Sequence, residues 1–537
     1  MKLVTVSQMQ ELERLADARG LSYAEMMDNA GRALAKKIQD AARGKTWRDV
    51  LGLVGAGNNG GDTLLALTRL SEAGWQACGY VVKRDKKDKL IANFIKAGGE
   101  VIYADGDKKF TRLNERIRAA DVLLDGLLGT GAKLPLREDI AAALEQCASA
   151  LANLEKPPFI VAVDCPSGID CDAGEAAPQC LHADLTVTMA AVKQGMLRLP
   201  AFKFLGRLVT AEIGFPDSFS EFHSLPAEVA DERLAASILP ERPLDAHKGT
   251  FGTALIAAGC LNYTGAALLT GQSACRVGAG LATLAVPEPL HAALAGRLPE
   301  ATWVLLPHKS GFIAENAAEV LLNYVHRATA FLIGPGLGFH ASTKPFVEAV
   351  LTAIKIPAVI DADGLRHLEQ IPAWHTRLKK MAILTPHVGE MAILTGLSKE
   401  EIQLQRGKVA LQYAQTWGHV VVLKGAFTVI AAPDGRMTVI PVATAALARA
   451  GTGDLLAGMI VGLRAQRLDA YHAAVAGAYI HAQAGLLAEK RLGSAAVTAS
   501  DVLANISDIM KGLEGYNTGS HDDPSTQRTL PRRNGAR

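Results

Sequence analysis

A glycine-rich loop that carries two amides and a carboxylate follows the first strongly strand-like run of the sequence. In VLGLVGAGNNGGDT, Gly55, Gly57 and Gly60 match the G-x-G-x-x-G pattern between a predicted strand and a predicted helix. Such a loop is typical of dinucleotide oxidoreductases, whose backbone N–H groups hold a pyrophosphate, but it also simply lets a strand and a helix pack closely. The two asparagines and the aspartate favour a third interpretation, because their oxygens suit a cation or ribose hydroxyls better than a phosphate.

Two further predicted strands of the first half end in similar chemistry. In LLDGLLGTGAK, Asp125 ends a strand and a second glycine loop follows, and in VAVDCPSGID, Asp164 ends a strand and Ser167 lies in a Pro-Gly turn. Ligands of open parallel sheets bind at the carboxyl ends of strands, so we expect the three loops to line one crevice. Any one of these aspartates by itself is equally consistent with a helix cap.

The strongest chemical pattern of the second half is ATAALARAGTGDLLAG, in which a turn of small residues leads into a predicted helix at Asp454. Successive backbone N–H groups at a helix N-terminus form an anion hole. A carboxylate in the first turn can then act as a base on a hydroxyl held against a phosphate. An ordinary helix cap would explain Asp454 but not the glycines on either side of it.

Other predicted strands of the second half also end in polar side chains. TPHVGE contains His387 and Glu390, LKGAFT places Lys424 in a glycine turn suited to nucleotide phosphates, IGPGLG is a glycine turn, and VIDADGL contains Asp361 and Asp363. A lone histidine is more often structural than a ligand, so His387 alone decides nothing. The Walker phosphate loop is absent, so any nucleotide must be bound by another scaffold.

The elements that must position these residues form two α/β domains. The first forty residues show two amphipathic helical patterns, and short apolar runs ending in Gly or Asp then alternate with helix-length segments, as in a parallel sheet covered by helices. The alternation lapses from Pro216 to Pro243, which has no strand-like run and where we place the domain boundary. It then restarts and ends in helices from Leu455 to about Lys511. We expect the polar residues 515–537 to form a disordered tail.

The composition limits the possible partners and the compartment. The 537 residues include 49% hydrophobic and 20% charged ones, ordinary for α/β proteins, and the net charge of +2 argues against nucleic acid as a partner. The seven cysteines are odd in number and form no C-x-x-C pair, which predicts reduced thiols. The N-terminal residues show no signal-peptide or anchor pattern. We therefore expect a cytoplasmic protein with no membrane partner.

The first-half motifs GNNGGD, D-x-L-L-G-T-G and V-D-x-P-S-G, in this order and spacing, resemble the NAD(P)H-hydrate epimerase domain. The resemblance covers about residues 1–222 and implies a Rossmann-like three-layer sandwich. The sequence departs from the family pattern at Thr63, where the family usually continues with glycine, and this change removes no ligand.

The same resemblance assigns roles to individual residues. It implies that Asn59, Asp125 and Ser167 hold a potassium ion. Asp164 would be the acid/base at the reacting ring, and Lys133 is a second, weaker candidate. Residues that would line the hydrated nicotinamide nucleotide are Asn58, Asn59, Gly60, Gly61, Asp62, Gly129, Thr130, Gly131, Ala132, Lys133, Leu134, Pro135 and Asp164.

The second-half motifs HKGTFG, GPGLG, DADGL, TPHxGE, KGAFT and AGTGD resemble the ribokinase-like NAD(P)H-hydrate dehydratases over about residues 228–510. This implies a ribokinase-like α/β domain with Asp454 as the catalytic base. Glu390 would be a candidate magnesium ligand through water. Contacts to the adenine nucleotide would come from Lys424, Gly425, Ala426, Phe427, Thr428 and Gly453. Contacts to the hydrated dinucleotide would come from Ala266, Gly338, His387 and Asp454.

Together the two resemblances imply a bifunctional enzyme that repairs hydrated NADH and NADPH. The first domain would interconvert the R and S epimers, and the second would dehydrate the S epimer at the expense of ADP or ATP. Potassium and magnesium are the expected ions, and we expect a homo-oligomer.

Two other functions are compatible with the residues. A small-molecule kinase fused to an NADP-dependent oxidoreductase is favoured by the G-x-G-x-x-G loop and by Lys83 and Arg84 about two dozen residues later. Alternatively, the first half is a non-catalytic nucleotide-binding or scaffolding module, since a cation site can serve assembly alone. Oxidoreduction would require bound NADP, whereas a scaffold would tolerate loss of Asp164.

Overall fold

The computed structural model describes residues 1–517. It divides the chain into two compact units, Met1–Ala227 and the residues from Glu228 onward. Both units are built on mostly parallel sheets, which confirms the predicted α/β class. No helix within residues 1–517 is long and apolar enough to cross a membrane.

The first unit begins with two helices, as the amphipathic patterns predict. The second of them starts at a capping box, in which Ser22 and Glu25 each accept a hydrogen bond from the other's backbone N–H. The strands of this unit are β1 (Leu3–Val4), β2 (Asp49–Val54), β3 (Gln76–Val81), β4 (Glu100–Tyr103), β5 (Val122–Gly126), β6 (Phe159–Val163), β7 (Leu185–Met189), β8 (Val192–Lys193) and β9 (Arg207–Ala211). Its helices are α1 (Val6–Ala18), α2 (Tyr23–Ala41), α3 (Asn58–Glu72), α4 (Lys89–Lys96), α5 (Thr111–Ala119), α6 (Glu138–Ala152) and α7 (Ser220–His223).

The main sheet of the first unit has the strand order β4-β3-β2-β5-β6-β7-β9, with parallel pairings. The order reverses between β2 and β5, and ligands of such sheets bind at this reversal. Asp125 pairs in register with Leu53 of β2 and with Ala162 of β6, so it lies at the carboxyl end of the central strands. The short strand β1 pairs with β8 beside this sheet.

Side chains of the first sheet alternate between two helix-covered faces. In β2, Val50 and Val54 belong to the core that includes residues of α1 to α4, whereas Leu51 and Leu53 belong to the core that includes α5 and α6. Period-two alternation of buried side chains is the signature of a strand covered on both faces. The first unit is therefore the expected three-layer sandwich.

The second unit repeats the pattern with a longer sheet. Its strands are β10 (Ala227–Val229), β11 (Thr253–Ala257), β12 (Leu281–Pro287), β13 (Thr302–Leu306), β14 (His308–Lys309), β15 (Phe312–Ile313), β16 (Ala330–Ile333), β17 (Ala358–Ile360), β18 (Ile383–Leu384), β19 (Val420–Leu423), β20 (Val429–Ala431) and β21 (Met437–Val439). Its helices are α8 (Glu232–Ile238), α9 (Thr264–Arg276), α10 (Glu288–Leu294), α11 (Ala317–Val325), α12 (Thr343–Ala353), α13 (Asp363–Leu368), α14 (Trp374–Arg377), α15 (Val388–Thr395), α16 (Lys399–Leu404), α17 (Arg406–Trp417), α18 (Thr452–Ala465), α19 (Ala470–Leu492) and α20 (Ala499–Asn517).

The main sheet of the second unit has the order β10-β21-β20-β19-β18-β17-β16-β11-β12-β13. The strands from β19 to β13 in this order pair in parallel, whereas β19, β20 and β21 form an antiparallel meander. Helix α18 packs closely on α9, since a Cβ added at Gly458 would lie 2.0 Å from Ser273 Oγ. The glycines after Asp454 therefore have the packing role that their spacing indicates.

Two boundaries differ from the sequence-based expectation. The segment Pro216–Pro243 is predicted without a strand, yet it contains α7, β10 and α8. The three residues of β10 are too few to show an alternating pattern. At the other end, α20 continues through residues 515–517, because Leu513 in its last turns is buried in the core. The rest of the expected tail, residues 518–537, lies outside the described residues.

Candidate functional site

The three predicted loops of the first unit meet at the carboxyl ends of β2, β5 and β6. Asn59 donates from Nδ2 to the carbonyl oxygen of Leu128 at 2.8 Å. The N–H of Leu128 donates to Ser167 Oγ at 2.9 Å, and the N–H of Ser167 donates to Asp125 Oδ2 at 2.8 Å. The structure therefore brings together the residues that the sequence predicts as cation ligands.

Two oxygens of this cluster have the environment of cation ligands. Oδ1 of Asn59 and Oδ1 of Asp125 are buried and have no hydrogen-bond partner within residues 1–517. Burial raises the pKa of the Asp125 carboxyl, and the hydrogen bonds from Ser167 only partly offset this effect. An ionised carboxylate is costly to bury without a positive charge beside it. Carboxylate and amide oxygens left bare in this way fit a cation that binds oxygen.

Close backbone contacts hold the glycine-rich loop against the neighbouring loop. A Cβ at Gly55 would lie 1.9 Å from the carbonyl oxygen of Leu127, and a Cβ at Gly60 would lie 2.0 Å from that of Gly55. No side chain fits at either position, so the close backbone contacts require glycine at both. Thr63, the departure from the family pattern, donates from Oγ1 to Asn59 O at 2.8 Å and so braces the start of α3.

The two basic residues that favour an NADP-dependent oxidoreductase are engaged elsewhere. Arg84 donates from Nη1 to the carbonyl oxygens of Gly55 and Gly57, at 3.1 and 2.9 Å, and pairs through Nε with Asp88 at 2.8 Å. Lys83 lies 3.3 Å from Asp139. Arg84 therefore supports the glycine-rich loop through its carbonyl oxygens. Because these contacts and Asp88 engage its guanidinium, the residue best suited to bind a ribose 2′-phosphate is already occupied.

Asp164 occupies a strained position at the end of β6. Its φ of +61° lies in the left-handed region, which is unfavourable for a residue other than glycine and is found mostly at functional sites. Oδ1 accepts hydrogen bonds from Lys193 Nζ at 2.5 Å, from the N–H of Met189 at 2.9 Å and from Thr188 Oγ1 at 3.1 Å. No described residue donates a hydrogen bond to Oδ2. The carboxylate thus has one anchored oxygen and one free oxygen.

Two more carboxyl groups interact electrostatically with Asp164. Burial and the charges of Asp164 and Glu13 raise the pKa of Asp62 well above its usual range. Glu13, on α1, has its pKa raised mainly by burial. Asp62 therefore belongs to a group of three neighbouring carboxyls, and its charged form is disfavoured by burial and by the other two.

The structure does not join Lys133 to Asp164. Lys133 lies exposed on the loop between β5 and α6, and no hydrogen bond or ion pair within residues 1–517 connects it to the aspartate. Gly129, at the start of this loop, approaches the loop after β2, since a Cβ there would lie 3.3 Å from Asn59 Cβ. The role of Lys133 stays a prediction.

Asp361 is the centre of the polar cluster in the second unit. It lies just beyond β17 and is 1% exposed. Its Oδ1 accepts hydrogen bonds from Lys424 Nζ and from Thr385 Oγ1, both at 2.6 Å, whereas its buried Oδ2 has no partner within residues 1–517. Lys424 Nζ also lies 3.7 Å from Glu390 Oε2. Burial alone would lower the pKa of Lys424, but the surrounding carboxylates raise it, so the lysine stays charged.

Asp454 lies in the first turn of α18, next to this cluster. Gly451, with φ of +87°, forms the N-cap, and a Cβ at Gly453 would lie 3.7 Å from Lys424 Nζ. Burial and the charge of Asp361 raise the pKa of Asp454 to about 6, although Lys424 opposes the shift. The carboxyl is therefore mostly ionised at neutral pH and more basic than an ordinary aspartate, as a general base requires.

The predicted contacts to the hydrated dinucleotide lie along the same edge of the sheet. Gly338 donates its N–H to Asp363 Oδ2 at 2.9 Å, and Ala266 Cβ lies only 2.7 Å from where a Cβ on Gly336 would be. His387 forms a bridge pair with Lys424 and is half exposed. Its Nδ1 accepts from two N–H groups at the start of α15, so His387 caps that helix as well.

The predicted nucleotide loop, Lys424 to Thr428, connects the antiparallel strands β19 and β20. Arg406 supports it from α17, with Nη2 donating to the carbonyl oxygens of Leu423 and Lys424 at 2.8 and 3.2 Å. Burial lowers the pKa of Arg406 to about 10, which still leaves the guanidinium charged. Phe427 is buried with φ of +55°, so the loop is held in a strained shape.

Within residues 1–517, no group of three or more His, Cys, Asp or Glu side chains could hold a metal ion directly. Glu390 accepts a hydrogen bond from the His387 N–H at 2.8 Å as part of the cap of α15. Burial raises the pKa of its carboxyl, and Lys424 opposes the shift. The role of Glu390 as a magnesium ligand through water stays a prediction.

Two charged residues of the sites are missed by the sequence reasoning. Lys193 is fully buried and Arg406 is partly buried, and their partners are distant in the chain or are backbone carbonyls. The available signal was a lysine within the apolar run LTVTMAAVK, because lysine is almost never fully buried unless it is paired. Arg406 had no comparable signal, since it begins a helix of ordinary polarity.

Comparison with known protein families matches each unit to a different model. Residues 23–195 match the family described as YjeF-related protein N-terminus, and residues 254–508 match the family described as NAD(P)H-hydrate dehydratase. The first match contains all three motifs of its resemblance, and the second contains all of its motifs except HKGTFG, which immediately precedes it.

Full-length relatives share both units in the same order. The bifunctional NAD(P)H-hydrate repair enzyme Nnr of Moorella thermoacetica is 34% identical over 523 residues, covering 96% of this chain and 97% of the relative. The enzyme with the same name from Escherichia coli is 32% identical over 502 residues, covering 92% and 91%. A crystal structure of the ADP/ATP-dependent NAD(P)H-hydrate dehydratase from Bacillus subtilis is 32% identical, covers 53% of this chain and 99% of its own, and has a TM-score of 0.45. This chain belongs to the family of bifunctional NAD(P)H-hydrate repair enzymes.

Proposed function

We propose that the first unit interconverts the R and S epimers of hydrated NADH and NADPH, and that the second unit dehydrates the S epimer at the expense of ADP or ATP. The observation that carries this proposal is Asp454, a basic carboxylate in the first turn of α18 beside Lys424. Family membership supports the division of labour, since each half matches its own family model.

The substrate explains why one chain would need both units. Water added to the nicotinamide ring forms a hydrate that no longer donates hydride, and the hydroxyl-bearing carbon has two configurations. A stereospecific dehydratase would leave one epimer behind. An epimerase in the same chain converts that epimer into the one that the dehydratase consumes.

In the first unit, Asp164 is the proposed acid/base. Its free Oδ2 would give a proton to the hydroxyl, which leaves the ring carbon as water while the ring nitrogen's lone pair forms an iminium. It would then take a proton from the water that adds to the opposite face, while Oδ1 remains hydrogen-bonded throughout. Asn59, Asp125 and Ser167 would hold a potassium ion, which when bound neutralises the buried carboxylate and fixes the loops that line the substrate. Asp62 would line the substrate beside Asp164, as the resemblance implies.

In the second unit, the hydroxyl must become a better leaving group, because hydroxide leaves poorly. Asp454 would remove the hydroxyl proton as the oxygen attacks the terminal phosphoryl group of ADP or ATP. The backbone N–H groups around Gly453 and the ammonium of Lys424 would stabilise the charge of the transferring group. The transfer releases AMP or ADP. The ring nitrogen's lone pair then expels phosphate, and loss of a proton from the neighbouring ring carbon restores the double bond of NAD(P)H.

The remaining expectations belong to the same proposal. The nucleotide would lie along the loop from Lys424 to Thr428, with Ala266, Gly338 and His387 facing the dinucleotide. Magnesium would arrive with the nucleotide and meet Glu390 through water. We also propose a cytoplasmic homo-oligomer.

Two full-length variants test the division of labour and control for each other. With both epimers of hydrated NADH and with ADP, the wild-type protein should restore the near-ultraviolet absorbance of NADH completely. Asp164→Ala should stop after consuming one epimer, whereas Asp454→Asn should equilibrate the epimers and restore no NADH. Chiral chromatography of the remaining hydrate distinguishes the two results. Consumption of both epimers at equal rates by Asp164→Ala would contradict an epimerase role for the first unit.

A further inference from the structure

A fully buried lysine lies directly behind the proposed acid/base of the first unit. Lys193 is 1% exposed, and its ammonium donates to Asp164 Oδ1 at 2.5 Å, to Thr188 Oγ1 at 3.0 Å and to the carbonyl oxygen of Met189 at 3.2 Å. Each of the three N–H groups of the ammonium thus has an acceptor. Because the side chain is completely enclosed, Lys193 does not reach the substrate itself.

We propose that Lys193 is a positioning residue of the epimerase site, which anchors Oδ1 of Asp164 so that Oδ2 alone serves the substrate. The inference rests on the proposed epimerase function. An ammonium at 2.5 Å fixes the rotation of the carboxyl group and favours its ionised form. Thr188 holds the same arrangement from the side, because its hydroxyl lies 3.1 Å from the carboxylate and 3.0 Å from the ammonium.

The N-terminal strand of the protein places this lysine. Lys193 belongs to the two-residue strand β8, which pairs with β1 so that Val4 lies opposite Lys193. The N–H of Val192 donates to the carbonyl oxygen of Lys2 at 2.9 Å. The first residues of the chain therefore help to set the geometry of a carboxylate at the end of β6.

The electrostatic surroundings make the lysine important for the charge on Asp164. Burial alone would lower the pKa of Lys193, but its contact with Asp164 raises it, so the ammonium stays charged. The titratable groups that interact with this pair, from α1, α3 and the adjoining loops, are Glu13, Asp62, Cys165 and Cys171, and Arg84 in turn interacts with Asp62. Two of these groups are further carboxyls with raised pKa values. Without Lys193, Asp164 would be a buried carboxylate beside two other acids, with no positive charge in contact with it.

The test is the pH profile of epimerisation in full-length variants. Lys193→Met removes the charge but keeps the length of the side chain, and Thr188→Val removes only the hydroxyl. A single epimer of hydrated NADH is incubated without nucleotide, and appearance of the other epimer is followed by chiral chromatography from pH 5 to pH 9. The spontaneous rate without protein is subtracted at each pH.

In Lys193→Met we expect the acid limb of the profile to move to higher pH by about one unit or more, as for removal of an adjacent opposite charge. Thr188→Val should shift it in the same direction by less. ADP-driven dehydration of the S epimer reports on the second unit and should keep its wild-type rate. The circular-dichroism melting curve reports whether each variant is folded.

A merely structural ion pair would behave differently. Folded variants that lose the same factor in rate at every pH, or that keep the wild-type profile, would overturn the positioning role. If Lys193→Met does not fold, the profile of Thr188→Val decides the question. Absence of epimerisation in the wild-type protein would instead refute the proposed function, so the two failures are distinguishable.

Discussion

The raised pKa of Asp454 makes the acid side of the dehydration profile a quantitative test. With a pKa of about 6, the carboxyl is about 90% ionised at pH 7 and about 10% ionised at pH 5. If Asp454 is the general base, only the ionised form is active. The rate of ADP-driven dehydration at saturating substrate should therefore fall about tenfold from pH 7 to pH 5. An ordinary aspartate would remain mostly ionised over that range.

The cause of the raised pKa supplies a second variant. The charge of Asp361 contributes to the shift, and Lys424 opposes it. In Asp361→Asn the repulsion disappears and Lys424 loses its closest partner, so both changes lower the pKa of Asp454. The acid limb should move to lower pH by up to about one unit. Asp454→Asn itself should lose about a hundredfold or more, the usual scale for removing a general base.

The assay uses the S epimer of hydrated NADH with saturating ADP, and follows the return of near-ultraviolet absorbance. Saturating nucleotide matters because Asp361 also contacts Lys424 of the predicted nucleotide loop. Asp245→Asn, on an exposed loop, is the matched control and should leave the profile unchanged. An unshifted acid limb in a folded Asp361→Asn, or an Asp454→Asn variant within tenfold of the wild type, would refute the reasoning.

Three shorter predictions concern other contacts. Potassium should raise the melting temperature of the wild-type protein at neutral pH but not in Asp125→Asn, because the ion offsets the cost of a buried carboxylate. This stabilisation should vanish in acid, where Asp125 is protonated; equal stabilisation of both proteins by differential scanning calorimetry would contradict it. Gly55→Ala should destabilise the first unit by about 1–3 kcal/mol in urea titrations, because its Cβ would meet the Leu127 carbonyl at 1.9 Å; an unchanged midpoint would show that the loop adapts. Arg406→Leu should raise the KM for ADP more than it lowers kcat, since Arg406 supports the nucleotide loop without touching the phosphates; a loss confined to kcat would argue against this role.

The sequence predicted most of the sheets and the loops that end their strands, because both leave local patterns. Apolar runs ending in Gly or Asp identified strands such as β5 and β6, and glycine spacing identified loops whose close contacts exclude a Cβ. The convergence of Asn59, Asp125 and Ser167 also follows from general principle, since the carboxyl ends of parallel strands meet at one edge.

The contacts that tune the sites were not predictable from local pattern. Lys193 meets Asp164 across 29 residues of chain, and Lys424 meets Asp361 across 63. Periodicity and propensity report which face a residue occupies, not which distant side chain it will meet. The positive φ of Asp164 is equally hidden, because a residue other than glycine adopts it only when the surrounding structure enforces it.

The two sites use the same pair of residue types in opposite ways. In the first unit, the aspartate proposed to react is the one that the buried lysine holds. In the second, Lys424 holds Asp361, and within residues 1–517 no hydrogen bond reaches the carboxylate of Asp454. Anchoring one oxygen gives orientation, which suits an acid/base that gives a proton to a substrate oxygen and takes one back. An unanchored, buried carboxylate with a pKa near 6 gains basicity instead, which suits removal of a hydroxyl proton during phosphoryl transfer. Mild acid should therefore inhibit dehydration, because it protonates the unanchored carboxylate on which that reaction depends.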